Sequence, residues 1–339
     1  VYKRQAWSHP LLWGVARSVM PEKQNIKTSG INKADPAKGS VANGKGEFNA
    51  YLPTSLAAYK ATNDLLKRGV ALYREKGSGM FILPANSSLA NELANSWALD
   101  VMTIGSLPDD AVMMKKQSIA VYGDAGVTIA LDELGFEYDE VSAGELNSGL
   151  DLTAFDVFIN LDLAWDAPPW AWWGHLNDTG RAAVTAFFTG GGDYIGLTTD
   201  GVLFAKDAGL MDFTYATAGD ADAILNLDFN ANDGVAAGFR ENGYGYVLGA
   251  MWFTSTNGAA ISATIADEDF LVAGYWPGWK TSGADNKPVI LNKDSDAQQA
   301  YGAPQNSEHA PKQPPPALDE CSRKGKRPGQ EHTTDIGCQ

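Results

Sequence analysis

Apolar and polar positions alternate along the chain in two periods, one near two residues and one near three and a half. The clearest stretch begins at residues 118–122 (SIAVY), a continuous apolar run of the kind found in strands buried on both faces of a parallel sheet. Gly123, Asp124, Ala125 and Gly126 make a turn, and Val127, Ala130, Leu131 and Leu134 follow at i, i+3, i+4 and i+7, with Gly135 as the stop. Residues 136–141 and 156–161 (DVFINL) read as the next strands. Residues 179–189 read as a helix with Val184, Phe187 and Phe188 on its apolar side, and a triple glycine turns into a strand at 194–197. Strands alternating with helices at this spacing predict a doubly wound, mostly parallel sheet.

A smaller α/β unit precedes it. Residues 48–52 read as a strand. Thr54 stands where a helix cap belongs, Leu56, Tyr59 and Leu66 follow at helical spacing, and Gly69 is the stop. Residues 70–73 and 80–83 read as strands about a glycine turn. Ser87 or Ser88 opens a helix through Leu89, Leu93 and Trp97, and residues 101–104 form a last strand. Further strands are expected at 246–252, 260–265, 270–275 and 289–291. The expected division is therefore a segment and linker at 6–46, a small α/β unit at 47–116, a larger α/β domain with C-terminal strands at 117–297, and a tail at 298–339. In the tail hydrophobic residues nearly vanish and six of the chain's 16 prolines fall after residue 300, so it reads as disordered or frame-shifted. The opening Val1, Tyr2, Lys3, Arg4 and Gln5 match the translation of a sequencing-adapter string. They are expected to be foreign, with natural sequence resuming at Ala6.

Composition narrows the chemistry. A net charge of −15 over 339 residues leaves no basic face for nucleic acid. No window holds the roughly 20 apolar residues of a membrane span. The two cysteines, Cys321 and Cys338, both lie in the tail, so the folded part is expected to lack a thiol nucleophile, a disulfide and a cysteine metal site.

The strongest local signal is Gly190-Gly191-Gly192-Asp193-Tyr194-Ile195-Gly196-Leu197-Thr198-Thr199-Asp200-Gly201, a strand running into a sharp turn and then a helix. Such a turn can hold a nucleophile exposed above a sheet. The segment resembles the nucleophile elbow of class I glutamine amidotransferase-like domains, which have a flavodoxin-like α/β fold and a Gly-x-Cys-x-Gly turn. Aligned on Gly196 and Leu197, the cysteine position holds Thr198. A thiolate is available near neutral pH, whereas a threonine hydroxyl needs a dedicated base. The family's downstream His-x-Glu pair is absent here. The resemblance thus implies elbow geometry without the reaction; the catalytic alternative has Thr198 assisted by His175 or Asp200.

A second resemblance is carried by the order of several motifs. Ala6-Trp7-Ser8-His9-Pro10-Leu11-Leu12-Trp13-Gly14-Val15 is similar to a stretch that follows the catalytic domain in large bacterial zinc carboxypeptidases. Ala50-Tyr51-Leu52-Pro53, Leu65-Leu66-Lys67-Arg68-Gly69-Val70, Phe81-Ile82-Leu83-Pro84 and Gly274-Tyr275-Trp276-Pro277-Gly278 follow in the expected order. The resemblance implies a secreted metallopeptidase whose catalytic zinc sits on a His-x-x-Glu pair and a later His, in a domain before Ala6. It implies no cofactor for this part of the chain, and the catalytic domain of the same protein as its partner. His175-Leu176-Asn177-Asp178 is the nearest approach to such a pair. Asp156, Asp162, Asp166 and Asp178 lack the spacing of a calcium loop. Trp165, Trp170, Trp172 and Trp173 follow the 156–161 strand, at the edge where open α/β sheets bind ligands. They could pack against a neighbouring domain or stack on a polysaccharide or peptide substrate.

Overall fold

The computed structural model describes residues 37–293, apart from 43, 167–173 and 240. The expectations for the opening residues, for most of the 6–46 segment and for the tail fall outside the described residues. So do Trp170, Trp172 and Trp173. What is described is a mixed α/β structure built on three sheets.

The first sheet comprises β1 (Phe48–Tyr51), β2 (Tyr73–Glu75), β3 (Phe81–Pro84), β4 (Met102–Ile104) and β5 (Ala111–Met113), ordered β4-β1-β3-β2-β5 with every pairing antiparallel. Helices α1 (Leu56–Lys67) and α2 (Ser87–Trp97) bury Ala58, Ala61, Leu65, Ala90 and Leu93 against Tyr51, Phe81 and Leu83. The helix cap is Ser55 rather than Thr54; its hydroxyl accepts from the Ala58 N–H at 3.3 Å. The strand expected at 70–73 begins only at Tyr73; Leu72 packs its side chain into the core while its carbonyl accepts from the Met114 N–H at 2.8 Å. β5 was not anticipated from the sequence.

The second sheet is parallel: β6 (Ile119–Tyr122), β7 (Asp139–Glu140), β8 (Val157–Asn160) and β9 (Asp193–Gly196), ordered β7-β6-β8-β9. Successive side chains of a strand point to opposite faces. Ile119, Val121 and Ile159 therefore meet Val127 and Leu131 of α3 (Ala125–Leu134). Ala120 and Phe158 face the other way, onto α4 (Ala143–Asn147), α5 (Asp178–Thr189) and α6 (Thr198–Asp207), whose Leu146, Val184, Phe187 and Phe204 are fully buried there. The strand expected over 136–141 shrinks to two residues, since Phe136 and Tyr138 pack beside α3. α4 was also unanticipated.

The third sheet is antiparallel and larger than the sequence suggested. β10 (Thr214–Phe229) and β11 (Asn242–Ser255) form a long hairpin, extended by β12 (Ala260–Ile265), β13 (Leu271–Tyr275) and β14 (Pro288–Asn292). Its core joins Trp252, Phe270 and Trp276, with the two indoles 5.8 Å apart. Gly274, at φ +99, lies so close to β10 that a Cβ there would sit 2.3 Å from the Asp222 carbonyl.

Candidate functional site

The parallel sheet presents the elbow at the C-terminal end of β9. Leu197 is extended, at φ −109 and ψ 154, and Thr198 then turns the backbone with φ +56 to begin α6. A β-branched residue in the left-handed region is costly, by about 1–2 kcal/mol. The turn persists because its surroundings leave no alternative. A Cβ on Gly196 would stand 2.4 Å from the Gly201 carbonyl, and one on Gly201 would stand 2.3 Å from the Asn160 carbonyl. Gly196 and Gly201 thus make the two closest backbone approaches at this turn.

Hydrogen bonds lock this crossing. The Asn160 amide donates to the Leu163 carbonyl at 3.1 Å and to the Tyr194 hydroxyl at 3.0 Å, and that hydroxyl donates to the Gly201 carbonyl at 2.6 Å. Burial pushes the Tyr194 phenol well above its usual range, so the hydroxyl keeps its proton and its role as donor. The Leu197 N–H donates to the Asn160 carbonyl at 2.8 Å. The Leu161 carbonyl accepts twice, from the Gly201 N–H at 3.1 Å and from the Thr198 hydroxyl at 2.6 Å. The proton of Thr198 is therefore held by a backbone carbonyl that cannot remove it. No hydrogen bond joins Thr198 to His175 or Asp200 among the described residues.

Acidic residues surround the elbow. Burial raises the Asp162 carboxyl above the usual range, and the charges of Asp200 and then Asp124 raise it further. The Tyr122 phenol is raised by burial and next by Asp162. Asp124 caps α3, its carboxylate accepting from the Gly126 and Val127 N–H groups at 2.8 and 3.3 Å. Asp124, Asp162 and Asp200 thus form a rim of carboxylates close enough to act on one another.

The tryptophan-rich segment begins and ends beside this rim. A parallel bridge pairs Ala164 with His175, and the Ala164 N–H donates to the Gly174 carbonyl at 3.1 Å. Arg181 on α5 holds both ends, donating to Asp166 at 2.8 Å, to the Leu176 carbonyl at 2.8 Å and to Asp178. Trp165 packs edge-on against Phe204, with ring centroids 5.3 Å apart, and so belongs to the core at this end of the sheet. Asp178, the last residue of His175-x-x-Asp178, pairs with Arg181. Among the described residues no group of three or more His, Cys, Asp or Glu could hold a metal ion. Among those residues, too, no helix is long and apolar enough to cross a membrane.

No protein-family model matches the chain, and no curated protein matches it. Among solved structures, a ThuA-like protein from Bacteroides uniformis aligns at 12% identity over 52% of this chain and 76% of its own length, with a TM-score of 0.30. A likeness at that level carries no argument about fold or function.

Proposed function

We propose that the chain is a non-catalytic accessory region of a secreted zinc carboxypeptidase, built around a class I glutamine amidotransferase-like unit that has lost its nucleophile. The strand order β7-β6-β8-β9, with α3 on one face and α5 and α6 on the other, supports a doubly wound, flavodoxin-like unit. The observation that carries the non-catalytic reading is Thr198 itself. It occupies the elbow at φ +56, yet its hydroxyl donates to the Leu161 carbonyl at 2.6 Å instead of to a base. The carboxypeptidase reading rests on the ordered motifs from Ala6 to Gly278. Under it, zinc-activated water would act in a separate His-x-x-Glu-bearing domain, and this region would position that domain or its peptide substrate.

Two experiments test the two halves. The purified chain, assayed against C-terminal peptide substrates and against glutamine, is expected to show no turnover, with Thr198→Ala identical to the unaltered protein. Turnover abolished by Thr198→Ala would overturn the non-catalytic reading. Genomic sequence upstream of Ala6 is expected to encode an in-frame domain with His-x-x-Glu and a later His. An in-frame stop or an unrelated gene there removes the carboxypeptidase assignment.

A further inference from the structure

The third sheet has a second face, turned away from its core. On β10 the side chains of Ala223, Leu225 and Leu227 point into the core, so Asp222, Ile224, Asn226 and Asp228 point the other way. The register places Leu248, Tyr246, Tyr244 and Asn242 of β11 beside these four in turn, and Tyr275 of β13 on the far side of Asp222. Leu248 is 74% exposed, Tyr275 63%, Tyr246 51% and Tyr244 42%, whereas Ile224 is buried in the middle of the face. Along β11 these exposed side chains follow one another at about 7 Å, and Tyr275 stands about 10 Å from Leu248, across two strand spacings.

Area, hydrogen bonding and charge limit what this face can hold. Four side chains exposed to this degree offer about 400 Å² of contact. Each partner of a stable protein pair buries about 800 Å², so the face is too small by itself to hold a second copy of the chain. The rings alternate with acceptors: Asp222 accepts from the Tyr246 hydroxyl at 3.0 Å, Asn226 stands opposite Tyr244, and Asp228 stands opposite Asn242. Neither Asp222 nor Asp228 belongs to an ion pair among the described residues. Both therefore keep lone pairs for hydroxyl donors, which bond a carboxylate more strongly than a neutral oxygen. Their charge, on a chain at −15, repels anionic ligands. Aromatic rings beside carboxylates suit a molecule with C–H groups on its broad faces and hydroxyls around its rim, as a pyranose ring has.

We infer that this face binds an extended, uncharged β-linked glycan, its sugars stacked on Tyr244, Tyr246 and Tyr275 and its hydroxyls donating to Asp222 and Asp228. A β-linked glucan is a straight ribbon that can span side chains standing in a row, whereas an α-linked glucan coils away from them. The inference depends neither on the reading of Thr198 nor on a carboxypeptidase parent.

The test titrates the full chain with cellohexaose, maltohexaose and hexagalacturonate by isothermal calorimetry. Cellohexaose is expected to bind, with maltohexaose and hexagalacturonate at least about tenfold weaker. Tyr244→Ala and Tyr275→Ala remove exposed side chains and are expected to leave the melting temperature unchanged. Each is expected to weaken cellohexaose about fivefold or more. Asp222→Asn keeps an acceptor for Tyr246 and is expected to narrow the gap between cellohexaose and hexagalacturonate. No binding of cellohexaose, either control chain binding as tightly, or an affinity untouched by both tyrosine substitutions would overturn the inference. So would a gap that Asp222→Asn leaves unchanged, or a dimer in sedimentation that Tyr275→Ala dissociates, because a second copy would then cover the face.

Discussion

Asp156 and Asp162 flank the two ends of β8 and shift in opposite directions. Burial first, then the charges of Asp200 and Asp124, raise Asp162. Burial would also raise Asp156, but Lys115 and the Ser118 N–H and hydroxyl hold it below the usual carboxylate range. The signs for stability follow from which state binds the proton more tightly. Folded Asp162 binds a proton more tightly than the unfolded chain does. Its stabilising contribution is present below its unfolded pKa of 3.8 and is lost as pH rises through the raised folded value. Asp156 contributes above 3.8 and loses that contribution as pH falls through its lowered value. Asp162→Asn is therefore expected to raise the melting temperature at pH 7 by about 1–3 °C, the gain shrinking towards pH 4. Asp156→Asn is expected to lower it at pH 7. Thermal melts at the two pH values check both, and a fall for Asp162→Asn would contradict the electrostatics described here. Tyr194→Phe, which removes the donor to Gly201, is expected to destabilise by about 1–2 kcal/mol in urea unfolding.

At the scale of elements, the elbow is a crossing of β9 and α6 over the end of β8. Gly196→Ala or Gly201→Ala places a Cβ against backbone carbonyls that cannot yield without moving a strand. Each is expected to cost about 3 kcal/mol or more by chemical denaturation, as large as a core defect. Thr198→Gly relieves the positive φ but loses the hydroxyl bond to Leu161, so its net effect is expected to stay within about 1 kcal/mol. Much of this element was legible in the sequence. The glycines and the apolar strand marked the turn, and Gly135 marked the end of α3, where it adopts φ +74. α4 carried a signal too. Ser142 and Glu145 form a capping box, with the Glu145 N–H donating to the Ser142 hydroxyl at 3.2 Å and the Ser142 N–H donating to the Glu145 carboxylate at 2.8 Å. β10 carried no such signal. Its run TYATAGDADAILNLDF mixes alanine, glycine and aspartate, residues that are poor strand formers, and β11 supplies the ladder that makes it a strand.

At the scale of the whole molecule, most ion pairs among the described residues are solvent-exposed; the Lys60–Glu133 partners, for example, are 37% and 68% exposed. Such pairs contribute about 0–1 kcal/mol each. A net charge of −15 instead sets up self-repulsion that salt screens. Raising sodium chloride from low to moderate concentration is expected to raise the melting temperature by a few degrees. A fall would mean that the surface pairs dominate. The first and second sheets are joined by neutral contacts as well: the Asn63 amide donates to the Leu134 carbonyl at 2.8 Å, and the Gly135 turn packs against Lys60.

The sequence by itself determined the local order of the parallel unit, because a strand buried on both faces must be a continuous apolar run and its helices must show their period. It also put a threonine, and no cysteine, at position 198, a matter of residue identity alone. The tertiary structure decided where the hydroxyl of Thr198 goes, that Gly201 completes the elbow, and that Trp165 is packed against Phe204. It also decided that Tyr246 of β11 and Tyr275 of β13 share one face of the third sheet. Those facts depend on carbonyls and rings brought together from distant parts of the chain, and no local period records which of them will meet.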